Sequence, residues 1–172
     1  IEVCLVGSEM CIRDRSKGRP VIKLQGSSNE NFVVLGLGRS GMTSARALNA
    51  SGANVICWDD DPEKRSLASS QGLRVTGSVS DFDWESIDRL IISPGVPHHF
   101  PFPHPIVSAA VSAGVLIDND VGLFFQSIAT KSWDKFSVRP RIVAVTGSNG
   151  KSTTASLLPV SYTHLRAHET HL

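Results

Sequence analysis

The feature that most constrains the fold is an alternation of short apolar runs with helix-compatible stretches, punctuated by glycine. Residues 31–35 read Asn-Phe-Val-Val-Leu and run into Gly36, the pattern of a strand buried on both faces of a parallel sheet. Residues 40–51 are Ala-rich and stop at Gly52, as a helix with a glycine just past its end does. Residues 54–58, Asn-Val-Ile-Cys-Trp, are the next expected strand, halted by Asp59-Asp60-Asp61-Pro62. Asp61 is predicted to cap a helix that has Pro62 in its first turn and Gly72 just past its end. Further strands are expected at 73–76, 89–93 and 115–117, with a helix over 105–113. Repeated strand-helix-strand units of this length imply an α/β fold, a Rossmann-like doubly wound parallel sheet with right-handed crossovers.

Near 129–140 the pattern lapses into a polar, aperiodic stretch, and a linker is expected there. A new strand is predicted at 141–146, running straight into a second glycine loop. The expected organisation is therefore a Rossmann-like domain over 30–128, the linker 129–140, and the start of a truncated P-loop domain over 141–158. Composition agrees with a globular chain: of 172 residues 41% are hydrophobic and 19% charged. The net charge of +1 gives no electrostatic footprint for nucleic acid or anionic lipid. No apolar run approaches the roughly 20 residues a membrane span needs. Three cysteines form no disulfide framework and point to a reducing compartment, the cytoplasm. A monomer is expected.

Both ends differ from the middle. The run from Cys4 to Arg15 and the run from Val160 to Thr170 resemble translated sequencing-adapter DNA. Residues 1–29 and 159–172 are accordingly expected to be foreign or disordered, with authentic sequence between about Ser16 and Leu158. His164, His168 and His171 fall at i, i+4 and i+7, a spacing that could bind zinc on one helical face. A short His tract in such a tail is compositional evidence only, and no metal site is assigned there.

Two loops carry the chemistry. The first, Gly36-Leu37-Gly38-Arg39-Ser40-Gly41, lies between a strand and a helix. Its glycines allow a tight turn and close approach of backbone N–H groups to a phosphate at the helix N-terminus. Asp59 falls 18 residues after Gly41, about where dinucleotide folds place a carboxylate on a ribose. The loop signals a diphosphate without saying which. The second, Thr146-Gly147-Ser148-Asn149-Gly150-Lys151-Ser152-Thr153, follows a β-branched run as a P-loop does. Its amides would wrap phosphates, Lys151 would bridge them, and Ser152 would reach Mg²⁺. The strict motif needs glycine five residues before Gly150, where Val145 stands.

Two nucleotide-like loops on successive α/β units suggest one enzyme handling two phosphorylated ligands. Over about 32–158 the residues resemble the Mur ligases, in their D-glutamate-adding branch. The resemblance rests on the shortened P-loop 146–153, on Gly36–Gly41, on the turn Ser93-Pro94-Gly95-Val96-Pro97, and on Asn119-Asp120-Val121-Gly122-Leu123-Phe124. It implies that the first domain binds the UDP part of a UDP-N-acetylmuramoyl-L-alanine substrate. Gly36, Gly38, Arg39, Ser40 and Gly41 would meet the diphosphate, Asp59 and Asp60 the uracil end, and Ser93, Pro94 and Gly95 the same groove. It implies ATP and Mg²⁺ at 146–153, with Lys151 catalytic, and an acyl phosphate attacked by D-glutamate, whose own site lies outside this chain. The polypeptide itself is expected to be inactive. One departure stands out: Gly122 occupies a position where an acidic residue is usual, and Asn119 one where glycine is usual.

Two readings from other classes compete: an NAD-dependent oxidoreductase built on the first loop, and a non-catalytic nucleotide-binding module. His98, His99 and His104, in the Pro-rich stretch 97–105, are expected to be exposed loop residues. Cys57 is expected to be a buried small hydrophobe.

Overall fold

The computed structural model describes residues 21–99, 102–130 and 142–158. Expectations for residues 1–20, for 131–140 of the linker and for the tail 159–172 with its three histidines lie outside them. The chain divides into two compact units, Ile1–Lys131 and Ser132–Leu172.

The described residues of the first unit form β1 (Asn31–Leu35), α1 (Arg39–Ala50), β2 (Asn54–Trp58), α2 (Pro62–Ser70), β3 (Arg89–Ile92), α3 (Pro105–Ser112), β4 (Leu116–Asp118) and α4 (Asp120–Thr130). The four strands form one parallel sheet in the order β2-β1-β3-β4. Alternate residues of β1 feed two cores. Phe32 and Val34 pack with Met42, Ala45 and Leu48 of α1 and Leu123 of α4. Val33 and Leu35 face Ile106, Val107 and Ala110 of α3 on the other side. A sheet covered on both faces explains why its strands read as continuous apolar runs.

Local signals act as the residue types require. Asp61 caps α2 by accepting the Glu63 N–H at 2.9 Å, with Pro62 at the first helical position, where its missing N–H costs nothing. The strand expected at 73–76 is reduced to one parallel bridge, Cys57 to Val75: the Cys57 N–H donates to Arg74 O at 2.8 Å, while the Thr76 N–H reaches Cys57 O only at 3.4 Å. The helix α4 spans the segment from Asp120 onward, for which the sequence pattern predicts no element. Residues 24–29, within the lead 1–29 expected to be foreign or disordered, dock on the domain. Leu24 packs on the α1-side core, its N–H donates to Ser51 Oγ at 2.6 Å, and the Asn29 N–H donates to Gly52 O at 3.0 Å.

In the second unit the strand expected at 141–146 does not form over its described residues 142–146. A strand exists only through its neighbours' hydrogen bonds, and Ile142 and Val143 stand exposed. The glycine loop is followed by a helix from 151 to 158, opened by the Thr154 N–H to Gly150 O bond at 2.9 Å.

Candidate functional site

The sheet register places the first glycine loop among its partners. Leu35 pairs with Trp58 on one side and Ile92 on the other. Gly36, Asp59 and Ser93 are therefore the next residues at the carboxyl ends of three adjacent strands. Here the connections diverge, β1 leading to β2 on one side while β3 lies on the other. Such a switch point is where open α/β sheets bind ligands. A cleft of about 440 Å³ opens there, and Gly36, Gly38, Arg39, Ser40, Asp59, Asp60, Ser93, Pro94 and Gly95 all line it. Nine of the ten residues that the Mur-ligase resemblance implies for a UDP-substrate site thus line one cavity.

The tenth, Gly41, is buried behind it. A Cβ at Gly41 would stand 1.8 Å from Gly36 O and 2.7 Å from Ser93 Oγ. The last glycine of the motif therefore lets α1 press against the turn rather than facing a ligand. Gly36 has φ +88°, a left-handed conformation that glycine adopts without steric cost. Its N–H donates to Trp58 O at 2.8 Å and its carbonyl accepts the Ser93 hydroxyl at 2.6 Å. Ser93 thereby ties the loop to the end of β3.

The α1 N-terminus is open. Gly38 occupies its N-cap with no side chain to bond the first amides, and no acidic residue lies in the first turn. Unfilled N–H donors and the helix dipole favour an anion at such an end, with Arg39 exposed beside it. At the α2 N-terminus, by contrast, Asp61 already fills the cap.

Asp59 is buried and its carboxylate is occupied. One oxygen accepts the Leu37 N–H at 2.6 Å and the other accepts the Asp61 N–H at 2.9 Å, with Lys64 Nζ at 3.5 Å. It holds the glycine loop from behind. Asp60 points outward and is 75% exposed at its side chain. Arg65 fixes the turn between them by donating to Asp59 O at 2.6 Å and Asp60 O at 3.1 Å, with its guanidinium 4.6 Å from the Trp58 ring centroid.

Leu35, Lys64, Val96, Pro97 and His104 also line the cleft without having been singled out for it, and His104 is placed against Asp60. His104 is not an exposed loop residue: its side chain is 13% exposed, it lines the cleft, and it reaches Asp60 at 3.1 Å. The signal was present in His104-Pro105, a residue able to accept at an N-cap followed by proline at N1. His98 and His99 are exposed as expected.

A model of the Mur ligase MurD-like N-terminal domain matches residues 30–118, just over half of the chain. The chain belongs to that family. Among relatives, the UDP-N-acetylmuramoylalanine--D-glutamate ligase of Cereibacter sphaeroides is 51% identical over 138 residues, covering 80% of this chain and 30% of its own length. The ligase of that name from Roseobacter denitrificans matches with the same identity and coverage. The chain thus spans about 30% of the length of these relatives. Among solved structures, the shikimate dehydrogenase of Aquifex aeolicus aligns with a TM-score of 0.45 and 18% identity, over 65% of this chain and 51% of that one.

Gly122 lies against the end of β4. A Cβ at Gly122 would fall 1.8 Å from Asp118 Oδ1, so a side chain there would require the Asp118 carboxylate to move. That oxygen accepts the Asn119 N–H at 2.8 Å, while Asn119 Oδ1 accepts the Val121 and Gly122 N–H groups at 3.0 Å.

Proposed function

We propose that this chain forms the UDP-substrate-binding part of an ATP-dependent, cytoplasmic ligase that adds D-glutamate to UDP-N-acetylmuramoyl-L-alanine in peptidoglycan-precursor synthesis. The observation that carries the reading is the 51% identity over 138 residues to a ligase of that name. The cleft supports it from the chemistry of its residues. The open α1 N-terminus with Gly38, Arg39 and Ser40 suits a diphosphate. Asp60 offers a hydrogen-bond acceptor at one rim, and Ser93, Pro94 and Gly95 wall the other. Asp59 acts from behind, keeping the loop amides aimed at the phosphates.

For the nucleoside triphosphate, the local chain fits. Gly150 has φ +79°, Lys151 opens a helix, and its ammonium lies over the loop, donating to Gly147 O and Ser148 O. Thr146, Gly147, Ser148, Asn149, Gly150 and Thr153 would cradle the phosphates, with Ser152 toward Mg²⁺. ATP would supply the phosphoryl group that activates the L-alanine carboxylate as an acyl phosphate for attack by the D-glutamate amine. Lys151 would offset charge on that group. Because the chain spans about 30% of its relatives' length, the polypeptide alone is not proposed to ligate.

Calorimetric titration of the 172-residue chain with UDP-N-acetylmuramoyl-L-alanine, NADH and ATP tests this. Saturable binding of the UDP ligand, with none of NADH, is the expected result. Preferential NADH binding would overturn it in favour of a dehydrogenase-like module.

A further inference from the structure

His104 bridges two elements at the cleft. Its Nδ1 accepts the Ile106 N–H at 3.2 Å, capping α3. Its Nε2 lies 3.1 and 3.2 Å from the two carboxylate oxygens of Asp60, which is 44 residues distant in sequence. A nitrogen that accepts an amide N–H carries no proton, so the neutral ring must hold its proton on Nε2 and donate it to Asp60. Asp60 Oδ1 also receives the Trp58 indole N–H at 3.3 Å. An aspartate three-quarters exposed would otherwise sample several rotamers, and ordering it at the moment of binding would cost affinity.

We infer that His104 is a positioning residue for substrate specificity: locked in the Nε2–H tautomer by its cap, it fixes the Asp60 carboxylate as an acceptor at the cleft rim. The ligand group at that rim is therefore one that donates a hydrogen bond. This rests on the UDP-substrate reading and assigns a residue to it.

The cap and the positioning role are separable. His104→Asn keeps a side-chain acceptor at the N-cap but is too short to hold Asp60. On the full chain, His104→Asn should leave the melting temperature within about 2 °C and weaken UDP-N-acetylmuramoyl-L-alanine binding roughly five- to tenfold. Asp60→Ala should weaken it at least as much. The double variant should be no weaker than Asp60→Ala alone, since His104 acts only through Asp60. Nitrogen-15 spectra of the ligand-free chain give an independent readout. The His104 ring should show the Nε2–H tautomer, and Asp60→Ala should shift Nε2 while leaving Nδ1 in place. An Nδ1–H tautomer, an Nε2 signal indifferent to Asp60→Ala, or additive losses in the double variant would overturn the inference. If the ring signature stands but the unmodified chain binds no UDP ligand, the functional reading falls, and the ligand role of His104 with it.

Discussion

Gly41 shows how one side chain, or its lack, sets the geometry of the cleft. In a helix interior alanine is favoured over glycine by about 1 kcal/mol, so propensity alone would make Gly41→Ala stabilising. The added methyl would meet the Gly36 carbonyl at 1.8 Å, and that oxygen is backbone, pinned by the Ser93 hydroxyl. Overpacking of this kind costs typically 1–3 kcal/mol and forces α1 away from the loop, so the clash wins. Gly41→Ala is expected to lower stability by about 1–2 kcal/mol, read as a lower urea midpoint. An unchanged or higher midpoint would show that the loop yields freely. At this scale the sequence revealed which residues gather but not which of them touch a ligand. Asp59 and Asp60 are adjacent and chemically alike, yet one is spent on the Leu37 and Asp61 amides and the other faces out. Only the direction of each side chain at the end of β2 separates them.

Elements were legible where periodicity and punctuation agreed, as in β1, β2 and α2, whose ends carry Gly36, the Asp59–Pro62 stop and Gly72. They were less legible where an apolar run lacks a neighbour to complete it. The run 73–76 contributes one bridge at the edge of the sheet, and 142–146 contributes no strand among the described residues, although both have strand-forming composition. Strand formation depends on a partner that no local pattern encodes. The bridge at Val75 does cover Cys57, which is fully buried. Burial pushes its thiol up from an ordinary value near 9 to about 12. A thiol raised in the folded state contributes stability in full below about pH 9 and loses it as pH climbs toward the folded value. Because the thiolate is the nucleophile, Cys57 should stay unmodified by iodoacetamide at pH 8 in the native chain and react once urea is added, as peptide mapping would report. Native-state labelling at Cys57 would mean that the edge opens readily.

At the scale of the molecule, the cleft is made wholly within the first unit. Three parallel strands end level, and the loops beyond them supply an open helix end, an acceptor at the rim and a Ser-Pro-Gly wall. The second unit carries the other glycine loop, with Gly150 at φ +79° and Lys151 at the start of a helix. The family membership follows from residues 30–118, all within the unit that holds the cleft. The proposed function requires that the α1 end, rather than some other surface, receive the UDP moiety. The most direct measurement is an amide nitrogen-15 spectrum of the chain during titration with UDP-N-acetylmuramoyl-L-alanine. Saturable shifts are expected at Gly36, Gly38, Arg39, Ser40, Asp60, Ser93 and Gly95, with the distant face around Asn31 and Asn54 unmoved. Saturable shifts elsewhere that leave the glycine loop silent would contradict the proposed function.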